Sequence, residues 1–164
     1  MRDRLTWDEA WMAMADTIAM RSRCTRAGIG AVVVSANNRI CSTGYNGPAA
    51  TYPSEGDCVE FCPRAQGLAP LDNTYDQCPS IHSELNALLY VDRTQVEGGT
   101  IYVTESMCMS CAKAVSNSGL ARVVMRLRDA DAHRKPELVI EYLRSCEIKV
   151  DVFHSTLDES DDLV

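Results

Sequence analysis

Thr100-Ile-Tyr-Val-Thr-Glu-Ser-Met-Cys-Met-Ser-Cys-Ala-Lys-Ala-Val-Ser-Asn-Ser-Gly-Leu-Ala-Arg-Val-Val-Met125 is the stretch that decides the fold. Its first five residues are all β-branched or aromatic, which predicts a strand over 100–104. A helix follows from about 109 to 118. It stops at Asn117-Ser118-Gly119, because glycine just past the last turn takes the left-handed backbone that closes helices. Leu120–Met125 is then a second strand. Strand, helix and strand in succession form a crossover, so the two strands run parallel with a right-handed connection.

The alternation continues in both directions. On the C-terminal side Pro136 opens a helix to about Arg144, and Ile148–Phe153 reads as another strand. On the N-terminal side Trp7, Trp11, Met14 and Ile18 recur at helical spacing after Thr6, which acts as the N-cap of a helix over 7–21. Ile29-Gly-Ala-Val-Val-Val34 is a continuous apolar run suited to a strand covered on both faces. Asn37-Asn38 turns it back into Arg39–Gly44 as a hairpin. Ile81–Tyr90 is a helix that Ser80 would cap, with positions 81, 85, 88 and 89 on its buried face. The fold class is therefore α/β: a three-layer α/β/α arrangement around a five-stranded mixed sheet.

The 164 residues suit one domain, assigned to 1–157, with Asp158-Glu-Ser-Asp-Asp162 inside a solvated acidic tail over 158–164. Residues 46–80 have no periodicity and crowd Gly, Pro, Asp and three cysteines together. So long a loop needs something to tie it down. The eight cysteines are too sparse for a disulfide scaffold. The polar start, Met1-Arg-Asp-Arg-Leu-Thr-Trp-Asp-Glu9, does not read as a secretory signal, and no apolar run approaches the ~18 residues of a membrane span. The expectation is a soluble protein of the reducing cytoplasm, with no membrane partner, in which clustered cysteines mean metal more often than disulfide. The net charge of −7 argues against binding a nucleic-acid polymer, which needs a basic surface.

His82-Ser83-Glu84 and Cys108-Met109-Ser110-Cys111 each stand at a predicted helix start, 26 residues apart. Cysteines three apart in a first turn share one face, where the positive end of the helix favours thiolates. One imidazole and two thiolates make three ligands of a tetrahedral zinc ion and leave the fourth position to water, which is the catalytic pattern. Glu84 would then stand beside that water as the group that takes its proton. His-x-Glu followed by Pro-Cys-x-x-Cys is the zinc-deaminase signature.

Three further segments join it: Cys24-Thr-Arg-Ala-Gly-Ile-Gly-Ala-Val32, Gly44-Tyr-Asn-Gly47 and Tyr102–Lys113. With them, about residues 7–128 resemble the cytidine deaminase-like superfamily and, within it, the deoxycytidylate (dCMP) deaminases. The resemblance implies hydrolysis of dCMP to dUMP and ammonia, with Zn2+ on His82, Cys108 and Cys111 and with Glu84 as the catalytic acid and base. It makes Asn46 and Arg26 substrate-binding residues, Arg26 as a partner of the 5′-phosphate. It implies a second, structural zinc, for which Cys24, Cys58, Cys62 and Cys78 are the available set, and a homohexamer activated by dCTP and inhibited by dTTP. Three positions depart from the pattern. Met107 replaces the proline, Ser83 replaces the alanine of His-Ala-Glu, and Val124-Met-Arg-Leu-Arg128 lacks the usual tyrosine. The last departure keeps open a modified cytosine nucleotide, such as a 5-substituted dCMP, or another base or nucleoside. A non-enzymatic alternative is a binding module with one structural zinc on Cys58, Cys62, Cys108 and Cys111. Cys41 and Cys146 read as small buried thiols, Lys113 as a surface residue, and His133 and His154 as histidines without ligand companions.

Overall fold

The computed structural model describes residues 4–69 and 75–154, so the acidic tail lies outside the described residues. Its main sheet runs in the order β2 (Ile40–Tyr45), β1 (Gly30–Val34), β5 (Thr100–Val103), β6 (Arg122–Met125) and β7 (Lys149–Val152). β1 pairs antiparallel with β2 and β5, while β5, β6 and β7 are parallel, with Ile101 beside Val123 and Val123 beside Val150. The mixed five-stranded sheet is the one expected. All five residues of β1 are buried, as its unbroken apolar run requires.

Successive strand residues face opposite sides, so the sheet divides the core in two. Val32, Val34, Tyr102 and Val124 pack on Met12 and Ala15 of α1 (Trp7–Ala19). Ala31, Val33, Ile101, Val103, Val123 and Met125 face the other way. They pack on α3 (Ser83–Leu89), α5 (Met109–Ser116) and α6 (Pro136–Ser145) through Ala87, Ala112, Val115, Val139 and Leu143. The result is α/β/α, with α1 on one face and α3, α5 and α6 on the other.

A capping box starts α1: the Thr6 hydroxyl accepts from the Glu9 amide at 3.2 Å, and the Glu9 carboxylate accepts from the Thr6 amide at 2.7 Å. The helix ends at Ala19 rather than at 21, and the stripe it buries differs from the one the aromatic spacing indicated. Trp7 and Met14 are exposed, and Met12 and Ala15 face the sheet. Gly30 is the reason. A Cβ there would collide with the Ala15 carbonyl oxygen, so α1 lies against bare strand backbone through its small residue and its large ones move to the rim. Gly44 does the same for α3: a Cβ would strike the Ser83 carbonyl oxygen and the Ala87 nitrogen.

A charged cluster fixes α1 to the far strands. Arg122 of β6 binds Asp8 through two nitrogens, both at 2.7 Å, and Asp151 of β7 at 2.6 Å, while the Tyr102 hydroxyl donates to Asp8 at 2.7 Å. Arg122 holds the Asp8 carboxyl below its usual range, and burial raises the Tyr102 phenol.

Three further expectations are corrected. The segment 80–90 is not one helix: Ser80–Ile81 is a short strand, β4, paired with Gly47–Pro48, β3, and the helix begins at Ser83 with His82 in the cap position. A residue paired in a ribbon cannot also cap the helix two residues on, and Leu89 ends exposed. The 46–80 segment holds, besides β3, a one-turn helix, α2 (Cys58–Phe61), and one more turn, α4 (Arg93–Val96), precedes β5. Cys146 is exposed at the end of α6, and Cys41 is half-buried near the Arg39 and Gln95 carbonyls. Both lie at element edges, where the apolar pattern gives out.

Gly44→Ala is expected to push α3 off β2, costing roughly 1–3 kcal/mol and loosening whatever the start of α3 holds. Thermal denaturation with metal analysis checks both.

Candidate metal centre

The site is assembled where β5 ends. Thr104 accepts the Gly30 amide on its hydroxyl at 3.1 Å and donates its own amide to the Gly30 carbonyl, which turns the chain off the sheet toward α5. Met107, in the position of the expected proline, is held by burying its side chain in the core. Cys108 takes the cap position of α5 and Cys111 lies in its first turn. α3 packs against α5, so His82, also at a cap position, meets the two cysteines.

His82 Nδ1 is 3.4 Å from the Sγ of Cys108 and 3.4 Å from that of Cys111. A tetrahedral zinc ion with Zn–S near 2.3 Å and Zn–N near 2.0–2.1 Å needs such atoms about 3.6 Å apart, so the donor set has the size and chemistry of a zinc site. Among the described residues it is the one group of three or more ligand side chains whose donor atoms all lie within 4.8 Å of one another.

The electrostatics agree. A hydrogen bond with Cys111 brings the Cys108 thiol down to about 4, against burial and with help from His82. Sharing with Cys108, burial and the Glu84 charge push Cys111 well above its usual range. Burial lowers His82, but Cys108 and Glu84 outweigh it and leave the imidazole raised. Glu84 is buried, and the hydroxyl of Ser83 donates to its Oε2 at 2.9 Å. The departure from alanine thus supplies a hydrogen bond to the carboxylate.

His82, Glu84 and Cys108 open on a cavity of about 520 Å³. Cys24, Cys58, Cys62 and Cys78 all line it, with the Cys62 and Cys78 sulfurs 4.0 Å apart. Burial, then the neighbouring Cys24 and Cys62, push Cys58 up to about 12. Burial would raise Cys62 too, but the backbone N–H groups of Ala65 and Arg64 hold it below its usual range. The Cys58 amide donates to the Arg23 carbonyl at 3.1 Å, so the long segment is tied to the chain before β1. A shared ion on Cys58, Cys62, Cys108 and Cys111 does not match this grouping, because the Cys108–Cys111 pair closes on His82.

Asn46 lies in the cavity wall with its carboxamide turned to the backbone: its oxygen accepts from Ile29 at 2.7 Å and its nitrogen donates to Ala27 at 2.8 Å. Arg26 is exposed at the cavity edge. Several lining residues escaped the sequence reading. Tyr75, at φ 58°, sets its ring edge-to-face with His82 at 4.7 Å under the Arg64 guanidinium at 4.6 Å, and its hydroxyl is 3.4 Å from His133 Nε2. Glu105, Arg128 and Arg134 form the wall beyond Ser106. None carries a local signal. They come from separate segments, and His133 finds its companion 58 residues away.

A family model described as the cytidine and deoxycytidylate deaminase zinc-binding region matches residues 5–127. The deoxycytidylate deaminase of Mycobacterium phage D29 is 38% identical over 126 residues, covering 74% of this chain and 94% of that protein. The human deoxycytidylate deaminase is 34% identical over 123 residues, covering 74% of this chain and 65% of its own length. In fold, the chain is similar to the dCMP deaminase of cyanophage S-TIM5 solved with dCMP and dUMP: TM-score 0.68 at 23% identity, over 93% of this chain and 100% of that one.

Ser83→Ala should leave the fold and metal content intact and lower turnover several-fold, since one hydrogen bond to a charged group is worth ~1.5–3 kcal/mol at most. Steady-state kinetics beside metal analysis reads this.

Proposed function

Because the chain belongs to the cytidine and deoxycytidylate deaminase zinc-binding family, we propose that it hydrolyses the 4-amino group of dCMP, giving dUMP and ammonia. The placement of Glu84 carries this reading: a buried carboxylate, held by Ser83, whose charge acts on both His82 and Cys111. A carboxylate there serves to move protons for whatever the three ligands hold.

Zinc bound by His82, Cys108 and Cys111 would acidify a water molecule toward a pKa of ~7 and so supply a nucleophile at neutral pH. Glu84 takes a proton from that water and delivers it to ring N3, which relieves the charge that attack at C4 drives into the ring. It then takes the proton remaining on the added oxygen and passes it to the amino group. The C4–N bond breaks, C4 keeps the oxygen as a carbonyl, and ammonia departs. The cavity would hold the base against Asn46, with Arg26 at the open edge.

We read Cys24, Cys58, Cys62 and Cys78 as the ligands of a second, structural zinc. Its support is their shared wall and the 4.0 Å between Cys62 and Cys78, near the ~3.8 Å of two thiolates on one tetrahedral ion. The eight unbridged cysteines favour a reducing cytoplasm, and no helix among the described residues is long and apolar enough to cross a membrane. Hexameric assembly and control by dCTP and dTTP enter this proposal from the family.

Glu84→Gln is expected to keep metal and fold but lose roughly 10²–10⁴-fold in dUMP formation. Near-normal turnover would refute the assigned role. Metal analysis should find about two zinc ions per chain. Cys62→Ser should lower that to about one and reduce thermal stability, while His82→Ala should release the other ion and abolish activity. A content of one in the unaltered protein would remove the structural site.

A further inference from the structure

Tyr75 is where the long cysteine-bearing segment reaches the metal centre. Its ring meets the His82 imidazole with 4.7 Å between centroids and the planes 87° apart. That is an edge-to-face arrangement, one of the two that aromatic rings prefer. The Arg64 guanidinium lies over the same tyrosine ring at 4.6 Å, and Arg64 is only 4% exposed. The Tyr75 hydroxyl is 3.4 Å from His133 Nε2. The backbone holds the ring there at a cost, because φ at Tyr75 is 58°, a left-handed conformation that bulky side chains rarely adopt.

Both members of this stack are fixed close to the cysteines of the segment. Arg64 follows Cys62 by two residues, and the Cys62 sulfur lies 4.0 Å from that of Cys78. The Tyr75 carbonyl in turn accepts the Cys78 amide at 2.8 Å, closing a tight turn. The ring therefore cannot leave His82 without disturbing a buried guanidinium and that turn.

His82 needs such a restraint. It stands at the cap position of α3 without a side-chain hydrogen bond to the helix, and it faces the cysteines through Nδ1, 3.4 Å from each sulfur. Rotation of an imidazole about its Cβ–Cγ bond is only broadly restricted, and a half-turn would offer Cδ2 where Nδ1 now stands. Metal-binding histidines are usually held against this by a hydrogen bond on the other ring nitrogen. Among the described residues none is made to His82 Nε2, and the Tyr75 ring lies against the imidazole instead.

Taking His82 as a zinc ligand, as the deamination reading does, we propose that Tyr75 is a positioning residue that sets the His82 imidazole in its ligating orientation by edge-to-face contact, with Arg64 clamping the tyrosine ring. Tyr75 touches neither the ion nor, in this role, the substrate. It acts through His82.

The test is chelator competition on the zinc-loaded full chain, beside steady-state kinetics on dCMP. The ion concerned is the one that His82→Ala lacks. Tyr75→Leu keeps apolar bulk without a ring and should weaken retention of that ion about 10- to 100-fold, leaving other zinc in place. Tyr75→Phe keeps the ring and should hold the ion nearly as tightly as the unaltered protein. At saturating zinc, kcat of Tyr75→Leu should fall while KM for dCMP changes little. A merely structural ring would lower thermal stability without singling out one ion or separating kcat from KM. Tyr75→Gly, which suits the left-handed backbone, serves if Tyr75→Leu does not fold. Unchanged retention in Tyr75→Leu, equal losses in Tyr75→Phe and Tyr75→Leu, or a raised KM for dCMP with retention intact would each overturn the proposal. If His82→Ala keeps all of its zinc, the ligand assignment fails and the proposal falls with it. Chelator competition needs no turnover, so failure to deaminate dCMP would overturn the deamination reading alone.

Discussion

Two thiolates and an imidazole can share one ion only if the first turns of α3 and α5 meet, and the rest of the molecule is arranged to make them meet. Gly44 lets α3 lie on the backbone of β2, and the turn after β5, anchored on Gly30 by Thr104, brings Cys108 to the start of α5. Both helices sit on one face of the sheet and open at the end where β5 finishes. Ligands in open α/β sheets gather outside the carboxyl ends of the strands, where helix starts present their positive ends. Here the hydrogen bond with Cys111, helped by His82 and opposed by burial, makes Cys108 far more acidic than an ordinary thiol.

The same constraint explains where the protein keeps its buried polar groups. The sheet interior is almost wholly apolar, whereas Asn46, Arg64, Glu84, Glu105 and Ser106 are buried around one cavity, with Ser83 bonded to Glu84. Burying a polar or charged group is costly unless it is paired, and these groups are paired. Glu105 is paired twice over, and Ser83 spends its hydroxyl on Glu84. The charges across the other face, Asp8, Arg122, Asp151 and Lys149, form a network that ties α1 to β6 and β7 and lies away from that cavity.

Much of this was legible along the chain. The strand, helix and strand of 100–125, the apolar run at 29–34 and the hairpin after it depend on local preference and came out as read. So did the Cys108 and Cys111 pair, because spacing within a first helical turn is set by local geometry, whereas His82 joins them only because α3 packs against α5. Local reading failed where two segments compete for the same residues. Ser80 can cap a helix or pair with Pro48, and the ribbon wins. Trp7 and Met14 fit the helical stripe, but Gly30 draws in Ala15 instead.

The sequence by itself determined the kind of fold and the inner chemistry of the site, because periodicity and ligand spacing are properties of neighbouring residues. Only the tertiary structure decided what surrounds that chemistry. Tyr75 beneath Arg64, the His133 bond and the two arginines on Glu105 join residues tens of positions apart. Such contacts exist once the sheet has brought distant segments to one cavity, and no local pattern encodes them.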